Sequence, residues 1–199
     1  MRGIIISVGL MIGTVMASMM PAAAIARVCR AVPSIPPSDE LQDFQVDAYD
    51  LSLKIPRNYR SMLRSSGHIT FHDPAAFDLI QCMVRTGEYA TIPPYSALEI
   101  YQGVNNAAAL VDTIRLKRPW LDYYSPTYEP VQFVGQPALL YEYTNQFYGL
   151  TIANISFLSF DGRTLLTLTG PASSPLMENA LLLVEAAPFT APEPAEPRD

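Results

Sequence analysis

From Tyr49 onward apolar and polar residues alternate: Tyr49, Leu51, Leu53 and Ile55 fall on one side, Asp50, Ser52 and Lys54 on the other. A period of two predicts a strand with one buried face, and Pro56 ends it. Arg57-Asn58-Tyr59-Arg60 follows, then a polar turn at Ser65-Ser66-Gly67. Ile69 and Phe71 alternate with His68, Thr70 and His72, predicting a second strand closed by Asp73-Pro74. The run Phe77–Val84, apolar but for one Asp and one Gln, reads as a third strand, and Leu98–Tyr101 as a short fourth.

Helical spacing appears twice. Asn105 is a cap residue type, and Ala108, Leu110 or Val111, and Ile114 fall on one face of a helix bounded by Pro119. Ser174-Pro175 supplies a cap and a first-turn proline for a last helix, with Leu176, Ala180, Leu183 and Val184 on its apolar face and Pro188 at its end. Between them lie the aromatic segment Trp120–Tyr128, a turn at Gly135-Gln136-Pro137, and strands Ala138–Tyr143 and Gly149–Phe160. Asp161-Gly162 before Leu165–Leu168 predicts a type I′ hairpin. Consecutive strands joined by tight turns, with helices interspersed, indicate an α+β domain: an α/β/α sandwich with a central antiparallel sheet.

The two ends have another character. Gly3–Ala26 carries no charge, and Ile4–Met20 is almost wholly apolar behind a basic Arg2. Pro21 and the alanines that follow offer A-x-A-like cleavage sites, so residues 1–26 read as an export signal; the competing reading is an uncleaved membrane anchor. Residues 27–45, with Pro33, Pro36 and Pro37, read as a Pro-rich linker. Residues 46–186 form the domain, and 187–199, rich in Pro and Glu, a disordered tail.

Among 199 residues, 13 are basic and 19 acidic, a net charge of −6 with pI about 4.9. That balance excludes nucleic-acid binding through a basic surface. Nothing after the leader is long and apolar enough to span a bilayer, leaving at most peripheral membrane association. Two cysteines, Cys29 and Cys82, are either bridged, as an exported compartment allows, or independent thiols with Cys82 buried in a strand. No phosphate-cradling glycine loop, zinc-protease helix or nucleophile elbow occurs, so no catalytic residue, cofactor or metal is expected. His68 and His72, the only histidines, would stand about 13 Å apart on one strand, too far to share a metal ion.

Trp120, Tyr123, Tyr124 and Tyr128 lie in one loop, and Tyr141, Tyr143, Phe147 and Tyr148 surround the next turn. Such rings fill cores, and they also build protein interfaces. Arg57, Arg60 and Arg64 form either a solvated turn or a small docking patch for an acidic partner.

The entry Tyr49-Asp50-Leu51-Ser52-Leu53-Lys54-Ile55-Pro56 with Asn58-Tyr59 resembles that of the PsbP family. The likeness continues through Asp73-Pro74, Gly135-Gln136-Pro137-Ala138 before Tyr141-Glu142-Tyr143, and Phe160-Asp161-Gly162-Arg163 before Leu165–Thr169. It covers roughly Tyr49–Val184 and implies the Mog1/PsbP-like fold. It further implies a non-enzymatic protein of the thylakoid lumen or periplasm that binds other proteins, namely photosystem II subunits, in assembly or stability. The basic, lysine-rich character of the plant subunit is absent, and lysine occurs only at Lys54 and Lys117. A second expectation, from another class, is an exported carrier of a small molecule or pigment, with an apolar pocket on the order of several hundred Å³ lined by tyrosines.

Overall fold

A computed structural model describes residues 29–30, 33–105 and 107–186; the export signal and the tail lie outside the described residues. A hairpin of β1 (Leu41–Val46) and β2 (Leu51–Pro56) forms a small sheet of its own. The main sheet comprises β3 (Arg60–Leu63), β4 (Ile69–His72), β5 (Ser96–Gln102), β6 (Glu129–Phe133), β7 (Gln136–Asn145), β8 (Leu150–Leu158), β9 (Thr164–Pro171) and β10 (Val184–Ala186). Its order is β10-β6-β7-β8-β9-β5-β4-β3, and every neighbouring pair is antiparallel. With α1 (Pro74–Thr86), α2 (Leu110–Lys117) and α3 (Pro175–Leu181), this is an α+β fold dominated by antiparallel sheet.

The sheet has two chemically different faces. One is apolar: Leu98, Ile155, Phe157, Leu166 and Leu168 pack under Leu51, Leu53 and Ile55 of β2 and under Leu176, Met177 and Ala180 of α3. The other carries a smaller apolar cluster, Ile114 of α2, Leu121, Tyr141 and Leu165, beside a row of buried polar side chains. Gly170 lets β9 approach β5 closely. A Cβ there would come within 2.9 Å of the Ser96 backbone and would strike Ser96 Oγ, which is hydrogen-bonded to the α3 cap Ser174 at 2.8 Å.

Several expected elements take another form. Phe77–Val84 lies within α1 and is not a strand, because Asp73 acts as a cap: its Oδ1 accepts from the N–H groups of Ala75 at 2.9 Å and Ala76 at 3.2 Å. Pro74 occupies the first turn, and Gly87, at φ 72°, closes the far end. Cys82 is therefore helical. The helix expected from Asn105 begins later, at Leu110, because Asn105 caps a preceding turn through Ala107 N–H. The last helix stops at Leu181, and Val184 enters β10.

Residues 41–45, assigned to the linker, form most of β1. Its upstream part is also tied down: Asn58 Oδ1 accepts from Ser38 N–H at 2.9 Å, and Asn58 Nδ2 donates to Pro36 O at 2.9 Å. Cys29 is bridged to Cys82, fastening the N-terminal segment to α1.

The hairpin geometry is exchanged between two turns. At Asp161-Gly162 only Gly162 has positive φ, and a longer loop closes by Ser159 N–H to Thr164 O at 2.9 Å. The two-residue turn with positive φ at both positions joins β6 to β7, at Val134 (φ 46°) and Gly135 (φ 76°). A β-branched residue is poorly suited to that region, where Asn is tolerated. Val134→Asn is expected to stabilise the protein by about 1 kcal/mol, read as a higher urea midpoint at unchanged slope. A lower midpoint would show that Val134 packing outweighs the backbone. Replacing both cysteines by serine should cost about 4 kcal/mol, because the bridge spans a separation of 53 residues. An unchanged midpoint under oxidising conditions would refute that.

Candidate functional site

On the polar face, residues in register form cross-strand rows: Tyr141 of β7 faces Asn154 of β8, which faces Thr169 of β9, which faces Ala97 of β5 and then Thr70 of β4. In the next row Ser156 faces Thr167, which faces Glu99. Side chains paired across an antiparallel ladder share a face, so these rows build a largely polar surface, interrupted at Ala97.

Arg118 covers it. This residue follows α2 and is 1% exposed, the largest fully buried side chain described. Its Nη1 donates to Tyr141 Oη at 2.5 Å and to Asn154 Oδ1 at 2.9 Å. Its Nε lies 3.0 Å from Glu99 Oε2 without hydrogen-bond alignment, so that contact is an ion pair. The partners are themselves held: Tyr101 Oη donates to Glu99 Oε2 at 2.7 Å, Thr169 Oγ1 donates to Asn154 Oδ1 at 2.7 Å, and Tyr141 Oη meets Ser156 Oγ at 3.0 Å. Burial alone would lower the Arg118 pKa, but Glu99 and the neighbouring tyrosines reverse this, and it is raised. Burial raises the Tyr141 pKa despite the adjacent guanidinium, and pushes Tyr143 up to about 12.

Pro119 starts a short 3-10 turn, Pro119–Tyr123, that sets Trp120 over the Arg118 guanidinium at 4.6 Å. Trp120 meets Tyr143 edge-on at 5.3 Å, and Tyr124 lies 4.7 Å from Tyr143. Tyr128 packs on Tyr141 at 4.9 Å. Three of the four expected loop aromatics thus stack on the sheet, while Tyr123 stands 75% exposed.

Beside this wall a cleft of about 430 Å³ opens on the polar face. Arg118, Trp120, Tyr143 and Tyr148 line one side; Arg64, His68, Thr70 and Tyr95 line the other. Glu99, Ala97, Thr169 and Gly170 also line it. The three expected arginines do not act as one patch. Arg57 pairs with Glu40 at 2.5 Å, Arg60 is exposed on β3, and Arg64 enters the cleft.

Arg64 Nε donates to Thr70 Oγ1 at 3.0 Å, and its Nη2 lies 3.2 Å from His72 Nε2. A guanidinium only donates, so His72 Nε2 is the acceptor and the ring is neutral. Burial, and then the charge of Arg64, lower the His72 pKa to about 4, against a smaller opposing effect of Asp73. His68 Nδ1 accepts the Ile100 N–H at 2.9 Å, which leaves its proton on Nε2. The histidines were expected on a polar outer face; His68 lines the cleft, and His72 is 1% exposed. Among the described residues no group of three His, Cys, Asp or Glu is placed to hold a metal ion.

Arg118, Glu99, Asn154 and Thr169 escaped the sequence reading. Their signal was polar residues at alternate positions of two neighbouring apolar strands, Asn154 and Ser156 against Thr167 and Thr169.

No family model and no curated protein matches this chain, so the likeness to the PsbP family rests on the residues quoted for it. Among solved structures, a protein from Bacteroides thetaiotaomicron VPI-5482 with a 1.50 Å crystal structure is similar at 15% identity and a TM-score of 0.36. The match covers 70% of this chain and 46% of that one, and it carries no functional argument.

The neutral state of His72 makes a pH prediction. Its folded pKa lies below the ordinary 6.5, so the unfolded chain binds the extra proton between about 4 and 6.5. This contribution is complete above that window and is lost as pH falls through it, about 3 kcal/mol in all. Urea unfolding at stepped pH should show the loss in the wild type and a flatter dependence in His72→Gln. Parallel curves for the two proteins would refute the assignment.

Proposed function

We propose that the protein is a non-enzymatic binding module for a small organic molecule, taken up in the cleft between Arg118–Trp120 and Arg64–His68. The observation that carries this is a concave space of about 430 Å³ combining aromatic walls with convergent polar groups. That is the size and make-up of small-molecule sites. Tyrosines line the cleft, as the carrier reading requires, whereas its floor carries polar groups where that reading expects an apolar pocket.

The state of the nearby groups favours binding over catalysis. His72 Nε2 approaches Thr70 Oγ1 at 2.8 Å, a hydroxyl–imidazole pair. Yet Thr70 is 3% exposed, its hydroxyl already receives Arg64 Nε, and His72 Nδ1 has no partner among the described residues. A base without an orienting group, held by a cation, is poorly arranged to activate a nucleophile. Asp73 is engaged at the cap of α1, and Cys82 is in the bridge.

The other expectations form part of this proposal. Export to a periplasm or thylakoid lumen is supported by the Cys29–Cys82 disulfide, compatible with an oxidising compartment. Among the described residues no helix is long and apolar enough to cross a membrane. The α/β/α layering of the Mog1/PsbP-like fold is supported by α3 on one face and α2 on the other, with β2 sharing the α3 side. Binding to another protein, photosystem II subunits included, is the second reading. Its supporting observation is the exposed Tyr123 and Phe147, 75% and 82% exposed.

Trp120 is the chain's only tryptophan and lines the cleft, so it reports directly on occupancy. Titration with 2-naphthamide, a flat neutral probe, should move the single indole N–H resonance saturably. Trp120→Ala should weaken binding about tenfold or more by calorimetry. A stationary indole signal, with changes confined to the Tyr123 and Phe147 surface, would turn the case to the second reading.

A further inference from the structure

We infer that the ligand of this cleft carries a carboxylate, received by Arg64, on a flat unsaturated body held by the aromatic wall. The inference rests on the small-molecule reading above and adds the ligand's chemical class.

The two guanidinium groups of the cleft differ in charge balance. Arg118 is neutralised by Glu99, and its Nη1 is spent on Tyr141 and Asn154. Arg64 has no carboxylate within ion-pair distance among the described residues. Its bonds use Nε, to Thr70, and one Nη2 position, to His72; among the described residues Nη1 has no partner. Thr70 and the neutral His72 thus hold the guanidinium by one side without cancelling its charge. The opposite edge keeps the paired N–H geometry that matches a carboxylate bidentately. His68 adds a second donor at the same cleft, since the Ile100 N–H occupies its Nδ1 and leaves Nε2–H free.

Charge arithmetic selects among anions. One uncompensated cation faces the ligand, and Glu99 lines the same cleft. A carboxylate balances Arg64 one to one. A phosphate dianion would bring a second negative charge with no further cation to meet it, because Arg118 is already balanced by Glu99. The remaining walls, Trp120, Tyr143, Tyr148 and Tyr95, offer ring faces and edges that suit a flat body.

The test compares two probes of one shape, 2-naphthoate and 2-naphthamide, on wild type, Arg64→Gln and Arg60→Gln. Arg60 is exposed on β3, where it pairs in register with His72, and does not line the cleft. Wild type should bind the naphthoate at least about tenfold more tightly than the amide, the scale of one charge-assisted pair in a partly buried site. Arg64→Gln should erase that preference, the naphthoate losing more affinity than the amide, and a saturable Trp120 shift with the amide reports an intact cleft. Arg60→Gln should keep the preference. If wild type binds both probes equally, or Arg64→Gln keeps the preference, the carboxylate assignment falls while the small-molecule reading stands. If neither probe moves the Trp120 signal, the small-molecule reading falls and takes this inference with it.

Discussion

A single buried cation organises the polar side of this protein. Arg118 reaches the sheet with 1% of its surface exposed, and a charge so placed is tolerated only with an opposite charge and hydrogen-bond acceptors beside it. Glu99, Tyr141 and Asn154 meet it from three strands, β5, β7 and β8. The demand fixes more than one side chain. It fixes which residues of those strands face inward, and it anchors the segment that runs from α2 to Trp120. The guanidinium is also capped by the Trp120 ring, so the same contact that satisfies the charge builds the cleft wall.

This arrangement explains why the sheet is divided between two kinds of chemistry. On the apolar face, aliphatic side chains from the sheet, the β1–β2 hairpin and α3 interlock without polar atoms, and burial itself supplies the driving force. On the other face, Ser156, Thr167, Thr169 and Asn154 are buried at positions where leucine or valine would pack more simply. A buried ion network of this kind adds little net stability compared with an apolar core. Its effect is to set one geometry, with partners that fit only in one register. A surface of defined shape and polarity, held rigid from beneath, is what a selective binding site requires.

The legible parts of the fold were those in which local pattern and tertiary setting agree. β2 and β4 follow the period-two alternation, β5, β7 and β8 overlap the strand runs expected over Leu98–Tyr101, Ala138–Tyr143 and Gly149–Phe160, and Ser174-Pro175 marks the start of α3. α1 resembles a strand in sequence because Phe77–Val84 is apolar but for Asp78 and Gln81. The decisive signal lay outside it, in Asp73-Pro74 before and Gly87 after, a cap and a stop at helical spacing. β1 and β3 are short and half exposed, so no strong apolar period marks them. The Val134-Gly135 turn was hidden because a valine at positive φ contradicts local preference; the pairing of β6 with β7 overrides it.

The candidate site was harder to foresee for a physical reason. Its members come from β4, β5, β7, β8 and β9, from the turn between β3 and β4 and from the loop after α2, and what unites them is register across the ladder, which no spacing along the chain encodes. The aromatic loop was singled out on composition, yet its meaning depends on Arg118, an arginine indistinguishable in sequence from the exposed Arg57 and Arg60. Burial separates the three. An exposed arginine is screened and paired at small consequence, as Arg57 is with Glu40. In the cleft the same group divides into two roles: Arg118 has its charge consumed by the fold, and Arg64 is steadied by uncharged neighbours that leave its charge intact. Among the described residues no carboxylate stands within ion-pair distance of Arg64. Thr70 and a neutral His72 stand there instead, and an uncompensated cation in an aromatic cleft of an acidic protein is a feature that folding alone does not call for.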